Sequence, residues 1–538
     1  MTAEPRGAHR LVRSSAVVGI GTALSRVTGF ARIAAIAYAV GVTRLAGVYA
    51  YANETPNIFY ELLLGGILTA TLLPLFVRQL AEDDNDRGTD AIVTVAVVGL
   101  LVATALGIAL APWIVRIYTL KVHGPSADAQ RELATAWLRC FMPQIFFYGV
   151  TALASALLNA RRRFAAAAFA PILNNLVVIG LFLALPHVAT GPLTVDRVLH
   201  DRGLLLLMGL GTTAGIAAMT LALWPAVVRA GVRIRPLFAW RHTAVRSMVR
   251  LSGWTVGYVV ANQVSLWVVM VLANGTAGGP FVYMSAYAFF QLPHGLFAVS
   301  ITTTMQPELA RAYAEGDRAG QRELFARGFR LIAVLMVTAA ALYVGLSQPI
   351  VTVLLQRGAF DATAAGRVAD TLVGFAVGLP AFSLYLYTLR AFYAMPDTRV
   401  PFYVNCLENV CNIGAALVLY AWIGVPGLAL AFSVAYAVTV LVAVALIARR
   451  LGGLRGLGLV PTFARALAAG GAGGASAWLL AAVLGGDTWS RSLLGGVVGG
   501  VVGLGVAVVG LRLLGVREVD DLRGAFGRGA RRGATVQP

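Results

Sequence analysis

Acidic residues, cysteines and long polar stretches are what this sequence has least of. Of its 538 residues only 24 are Asp or Glu, six are His and three are Cys. The cysteines, Cys140, Cys406 and Cys411, lie in or beside apolar runs, which excludes a disulfide framework. There is no nucleotide-binding loop, no cluster with metal-ligand spacing and no convincing catalytic triad. The polar connections are short; the longest on the expected outer side, about 187–202, cannot house a soluble catalytic domain. The chain therefore reads as a non-enzyme with no metal or organic cofactor.

What is abundant is apolar sequence. Hydrophobic residues make up 58% of the chain and charged residues 12%, with a mean hydropathy of +0.77. Apolar runs repeatedly exceed the ~20 residues a helix needs to cross a bilayer. The reading is an all-α polytopic membrane protein with fourteen spans, near 14–42, 48–78, 89–117, 132–158, 164–186, 203–229, 247–273, 279–310, 325–348, 365–393, 400–422, 425–448, 461–485 and 491–515. The first resembles a signal peptide, but its apolar stretch runs past Arg26 without a clear cleavage site and is expected to be retained.

The formal charge of +19 would suggest nucleic acid in a soluble protein. Here the arginines concentrate in alternate connections: Arg6, Arg10 and Arg13, then Arg161–Arg163, Arg229–Arg250, Arg311–Arg327, Arg449–Arg455 and the tail "RGAFGRGARR". The positive-inside rule makes this set cytoplasmic, with both termini inside and no nucleic-acid partner. The tail would be drawn to anionic membrane lipids.

The chain also repeats. A shift of 233 places "TATLLPLFVRQLAEDD" (69–84) on "TTTMQPELARAYAEGD" (302–317), aligning Pro74 with Pro307; a shift of 230 places Pro171 and Asn175 on Pro401 and Asn405. Two six-helix lobes follow, 1–230 (spans 1–6) and 231–450 (spans 7–12), with spans 13–14 (451–515) and a basic tail (516–538) added. Such lobes usually enclose a central cavity and work by alternating access.

Within span 1, "SRVTGFARIAAIAYAVG" carries Arg26 and Arg32. An arginine at mid-bilayer costs at least ~3 kcal/mol, so both are expected to face an aqueous pocket. Six residues apart, they stand about 240° apart on an ideal helix; a bend or unwinding at Gly29 would bring them together. Guanidinium groups suit phosphate or carboxylate. The bland alternative is snorkelling, or pairing with Glu54 or Glu61. Asn405, Glu408 and Asn412 share one face of span 11, and span 8 carries Tyr287, Gln291 and His294, with Asn262 and Gln263 in span 7. These side chains suit sugar hydroxyls and amides, or else interhelical hydrogen bonds. Glu408 is the candidate for coupling to a monovalent cation or to the membrane potential. Gly29, Pro74 and Pro307 are the candidate hinges.

The motifs "SRVTGFAR", "PNIFYELLLGGILTATLLP", "LPHGLFAVSITTTMQPELA" and "FYAMPDTRVP" resemble those of the MurJ (MviN) lipid II flippases of the MOP exporter superfamily, in order and over nearly the whole chain. The resemblance implies a cationic cavity for the diphosphate and sugars of a polyprenyl-linked peptidoglycan precursor, a bacterial cytoplasmic-membrane location, and a groove on spans 13 and 14 for the lipid tail. It places Arg26 and Arg32 among the family's functional arginines and Asn57 in its span 2 Pro-Asn pair. Cell-wall synthesis machinery is a further implied partner. The chain departs from the family pattern at Tyr60 and Ala288, where many members carry arginines, and at Ile33 and Gly47, where acids are common. Another MOP exporter, moving a different lipid-linked glycan or a small cation, and a non-transporting envelope scaffold remain alternatives.

Overall fold

A computed structural model describes residues 6–62, 76, 87–124, 126–189, 191–232, 234–243, 245, 253–486 and 488–518. Secondary structure among them is helical throughout, and twelve helices are long and apolar enough to cross a membrane. The other two of the fourteen expected spans are spans 2 and 8, and each is interrupted. Span 2 runs as Arg44–Tyr60 and turns π-helical at Glu61 and Leu62, where its described part ends. Span 8 runs as Gly279–Pro293, a π-helical turn at His294–Ala298, and Val299–Ala314. The two π-turns begin 233 positions apart, the same shift that aligns the sequence repeat. Such one-turn irregularities cluster at functional sites in helices.

Polar caps punctuate the apolar runs. The side chains of Thr43, Asp201, Asp317 and Asp361 accept hydrogen bonds from the first-turn amides of Ala46 (3.3 Å), Leu204 (3.1 Å), Gly320 (2.8 Å) and Ala364 (2.7 Å), starting spans 2, 6, 9 and 10. Span 4, expected as one rod, is two helices, Ala127–Phe141 and Gln144–Ala160, broken where Pro143 cannot donate to the ladder. Span 1 is one uninterrupted helix, Arg6–Val40, so the backbone does not unwind at Gly29. Pro307 lies inside the helix Val299–Ala314, and Pro74 lies outside the described residues.

The described chain divides into two compact units, 1–281 with 357–360, and 282–356 with 361–538. In the first, the ring of Tyr49 meets Trp137, Phe141 and Phe182 edge-on, with centroids 5.1–5.8 Å apart. Span 7, Gly253–Ala273, packs in this unit, with Trp267 edge-on to Tyr118. The segment 357–360 joins it through the Ala359 amide, which donates to the Tyr38 carbonyl (2.9 Å). Gly358 (φ 61°) makes the turn, and a Cβ there would run into Tyr38.

In the second unit Phe290, Phe375, Phe382 and Phe432 interlock at 5.1–5.6 Å. Spans 9, 13 and 14 (Arg318–Leu355, Leu459–Leu484 and Trp489–Leu513) touch through small residues. A methyl on Gly473 would overlap the Gly503 carbonyl, and one on Gly345 would overlap that of Gly474. Close backbone approach explains those glycines directly. The opposite faces of spans 13 and 14 carry exposed Leu467, Leu479, Val483, Val497 and Val501.

Candidate functional site

Unit 1 gathers polar side chains from spans 1, 2, 4 and 6. Arg32 is half-buried and lies close enough to Tyr49, Glu54 and Tyr148 to act on each electrostatically. It makes no ion pair among the described residues; Glu54 instead accepts a hydrogen bond from Asn57 Nδ2 (2.9 Å). One turn earlier, Gln144 Nε2 donates to Asn53 Oδ1 (3.3 Å) and Thr213 Oγ1 (3.1 Å), while Tyr49 and Thr212 share a hydrogen bond of 2.9 Å. Span 2 is thus held by side chains at successive turns, and its acid and amide are presented near the guanidinium. Tyr60, standing where an arginine was expected, packs its ring 5.6 Å from that of Tyr148.

Arg26 stands apart from this group. It is exposed, about 9 Å further along the same unbroken helix. Beside it Asn175 Nδ2 donates to the Ser25 carbonyl (3.2 Å) and to Thr28 Oγ1 (3.0 Å), and the Asn175 amide nitrogen lies 3.6 Å from where a Cβ on Gly29 would stand. An amide from span 5 (Phe164–Val188) therefore fixes span 1 at the turn that carries Arg26.

Unit 2 carries the remaining candidates. The face of span 11 (Arg399–Ile423) expected to group Asn405, Glu408 and Asn412 is its buried face, with Asn405 and Glu408 only 1% and 2% exposed. Glu408 lies within electrostatic reach of Tyr283. Asn409 Nδ2 donates to the Asn405 carbonyl (2.8 Å). Gln291 Nε2 donates to Tyr287 Oη (2.5 Å), and His294 at the π-turn bonds Ser383 (2.9 Å) and meets Phe382 edge-on. A buried carboxylate and carboxamides in an apolar unit can receive a cation, a proton or a sugar hydroxyl.

Several groups were not singled out from sequence. Asn53, Gln144 and Thr213 read as ordinary interhelical polar residues, and only their convergence on span 2 distinguishes them. Asn274 likewise accepts from Gln130 Nε2 (3.2 Å) and donates to the Tyr118 carbonyl (2.9 Å), tying span 7 to spans 3 (Arg87–Tyr118) and 4.

Helical units of this kind, with twelve helices among the described residues long and apolar enough to cross a membrane, define a multi-spanning membrane protein. The fold matches a solved structure described as lipid II flippase MurJ in an inward closed conformation, with a TM-score of 0.74 at 20% identity over 92% of this chain and 99% of that one. It also matches an inward-facing multidrug resistance MATE family transporter of the MOP superfamily, with a TM-score of 0.64 at 13% identity over 80% and 95%. In sequence, a probable lipid II flippase MurJ of Vibrio cholerae is 27% identical over 96% of this chain and 98% of its own length. One of Rhizobium tropici is 29% identical over 79% and 78%. The family model of lipid II flippase MurJ matches residues 36–494, and the chain belongs to that family.

Proposed function

We propose that this protein moves lipid II, the polyprenyl diphosphate-linked peptidoglycan precursor, from the cytoplasmic to the outer leaflet of the bacterial inner membrane by alternating access. The observation that carries the reading is the family match over residues 36–494 together with Arg32, which lies within electrostatic reach of Glu54 and has no ion-pair partner among the described residues. A guanidinium kept free of a carboxylate retains its bidentate donors for a diphosphate. Asn57 and Glu54 would take sugar or peptide hydrogen bonds. Arg26 serves as a second cation, and Gln291, Asn405 and Glu408 are further candidate polar contacts for the cargo. Gly29, Pro74 and Pro307 act as hinges.

In this reading both termini are cytoplasmic, following the arginine distribution. The protein binds and translocates its cargo without chemical change. Glu408 is the candidate for coupling to a monovalent cation or the membrane potential. Cell-wall synthases would consume the delivered precursor. Tyr60 and Ala288, in place of arginines, support a second reading in which the cargo is another polyprenyl diphosphate-linked glycan with a different headgroup charge.

The test is made in cells depleted of their own flippase and supplied with this protein. A membrane-impermeant enzyme that cleaves the lipid II diphosphate linkage should release its headgroup from intact cells. If the headgroup stays protected while the protein is present in the membrane, lipid II is not the cargo.

A further inference from the structure

Away from the residues discussed so far, a groove of about 460 Å³ lies where spans 1, 5 and 6 end on the arginine-rich side. Arg162, Arg163 and Arg229 line it, over an apolar floor that includes Val17, Phe164 and Ala226. Among the described residues no carboxylate lines it, and none of the three arginines has an ion-pair partner. The groove also holds the first turn of span 5, a 25-residue helix whose N-cap residue, Arg163, makes no side-chain cap. Free first-turn amides and the positive end of the helix add to three guanidinium charges, which is an arrangement for an anion.

The backbone turn sets Arg162 beside the groove. The turn that closes span 4 has the Arg163 amide bonded to the Leu158 carbonyl (2.8 Å) and that of Arg162 to Asn159 (3.0 Å), a helix stop that normally places glycine in the left-handed position. Arg162 occupies that position instead, at φ 58°. The equivalent turn of the second unit also has a non-glycine at positive φ, Pro396 (25°), so the conformation belongs to the turn, and what distinguishes unit 1 is the charge it carries. The second unit supplies the contrast. There the corresponding turn, between spans 10 (Ala362–Ala394) and 11, carries Asp397, which pairs at 2.6 Å with Arg450 at the end of span 12 (Val425–Arg450). The cation at the end of span 6 in unit 1, Arg229, shares its groove with two further arginines and, among the described residues, with no acid.

We propose that this groove binds the phosphate headgroup of an anionic phospholipid. Its place in the cytoplasmic leaflet rests on the orientation proposed above; the binding itself does not. The ligand chemistry is a phosphate ester, and the surroundings choose a lipid over a soluble anion. Trp224 and Val228, in the last turns of span 6 beside Ala226 and Arg229, are 65% and 56% exposed, so apolar surface for acyl chains adjoins the guanidinium groups. A bound headgroup would tie together the ends of spans 1, 5 and 6, and span 1 is the helix that carries Arg26 and Arg32.

The experiment counts lipids on the purified, delipidated full-length protein by native mass spectrometry in neutral detergent. Phosphatidylglycerol should bind more tightly than phosphatidylcholine. Near a membrane surface each arginine contributes about fivefold, so Arg163→Gln with Arg229→Gln should weaken phosphatidylglycerol roughly thirtyfold. Arg162→Gly should weaken it about fivefold while leaving the lipid-free melting temperature unchanged or higher, because glycine suits the left-handed turn. A purely structural arginine would lower both together. Arg450→Gln should leave lipid binding as it was. Equal binding of the two lipids, or wild-type affinity in the double variant, would overturn the proposal. Displacement of the lipid by excess inorganic phosphate would assign the groove to a soluble anion and overturn it too.

Discussion

Arg330 offers the most quantitative perturbation of the fold. Its Nε donates to Glu518 (2.6 Å), one terminal nitrogen to the Leu457 carbonyl (2.5 Å) and the other to Glu323 (3.2 Å), so one side chain of span 9 fastens both the connection into span 13 and the chain beyond span 14. The side chains of Arg330 and Glu518 are 16% and 11% exposed, whereas that of Glu323 is 59% exposed. Removing one partner of a buried pair costs about 3–5 kcal/mol, because the other charge is left unpaired. Residual solvent access lowers that to about 2–3 kcal/mol for Arg330→Met. Glu323→Ala should cost no more than about 0.5 kcal/mol, as exposed pairs do. The double change Arg330→Met with Glu518→Met removes both charges and should return to within about 1 kcal/mol of wild type. Equilibrium unfolding in mixed micelles measures all three. The reasoning fails if Glu323→Ala costs as much as Arg330→Met, or if the double variant is no better than the single.

Arg32→Ala should slow lipid II transport by roughly ten- to a hundredfold, the loss of one or two charge-assisted bonds, with Lys recovering part of it because it supplies charge without the fork; native rates in reconstituted vesicles would remove Arg32 from the cargo path. Gly473→Val forces a side chain against the Gly503 carbonyl and should destabilise spans 13 and 14 by about 1–3 kcal/mol; unchanged protease resistance of this pair would show that their close approach is dispensable. Single cysteines at positions 241 and 320, in a background without native cysteines, should react with impermeant reagent only after the cells are opened, and labelling from outside would reverse the proposed orientation.

The fold was legible in the sequence wherever apolar length alone decides. Span 12 was expected at 425–448 and runs Val425–Arg450; span 10 was expected at 365–393 and runs Ala362–Ala394. The breaks were less legible. Met142-Pro143 sits in a continuous apolar run, and bilayer helices tolerate proline, so span 4 read as one rod. A π-turn shifts the helical register by a single residue, which hydrophobic periodicity over a uniformly apolar stretch does not register. The sequence repeat held the trace of it, since the shift that aligns Pro74 with Pro307 also aligns Glu61 with His294.

At the candidate site, polar residues inside apolar runs stood out by type, and the shared face of Asn405, Glu408 and Asn412 followed from spacing. Glu54 was named as a possible neighbour of the span 1 arginines, but the approach of Tyr49 and Tyr148 to Arg32 did not follow, because they come from spans whose rotation is set only by packing. The helix around Gly29 could not be read from the glycine alone either. Asn175, 150 residues away from Ser25, holds the Ser25 carbonyl and Thr28 at that turn.

The central claim is transport of lipid II, and translocation by the purified protein in liposomes tests it most directly. Lipid II is incorporated with a headgroup reporter, a teichoic-type polyprenyl precursor serves as comparison, and the fraction reaching the opposite leaflet is followed by an impermeant quencher. The account predicts movement of lipid II well above protein-free vesicles, preferred over the comparison lipid and strongly reduced by Arg32→Ala. No movement above background, or faster movement of the comparison lipid, would contradict it.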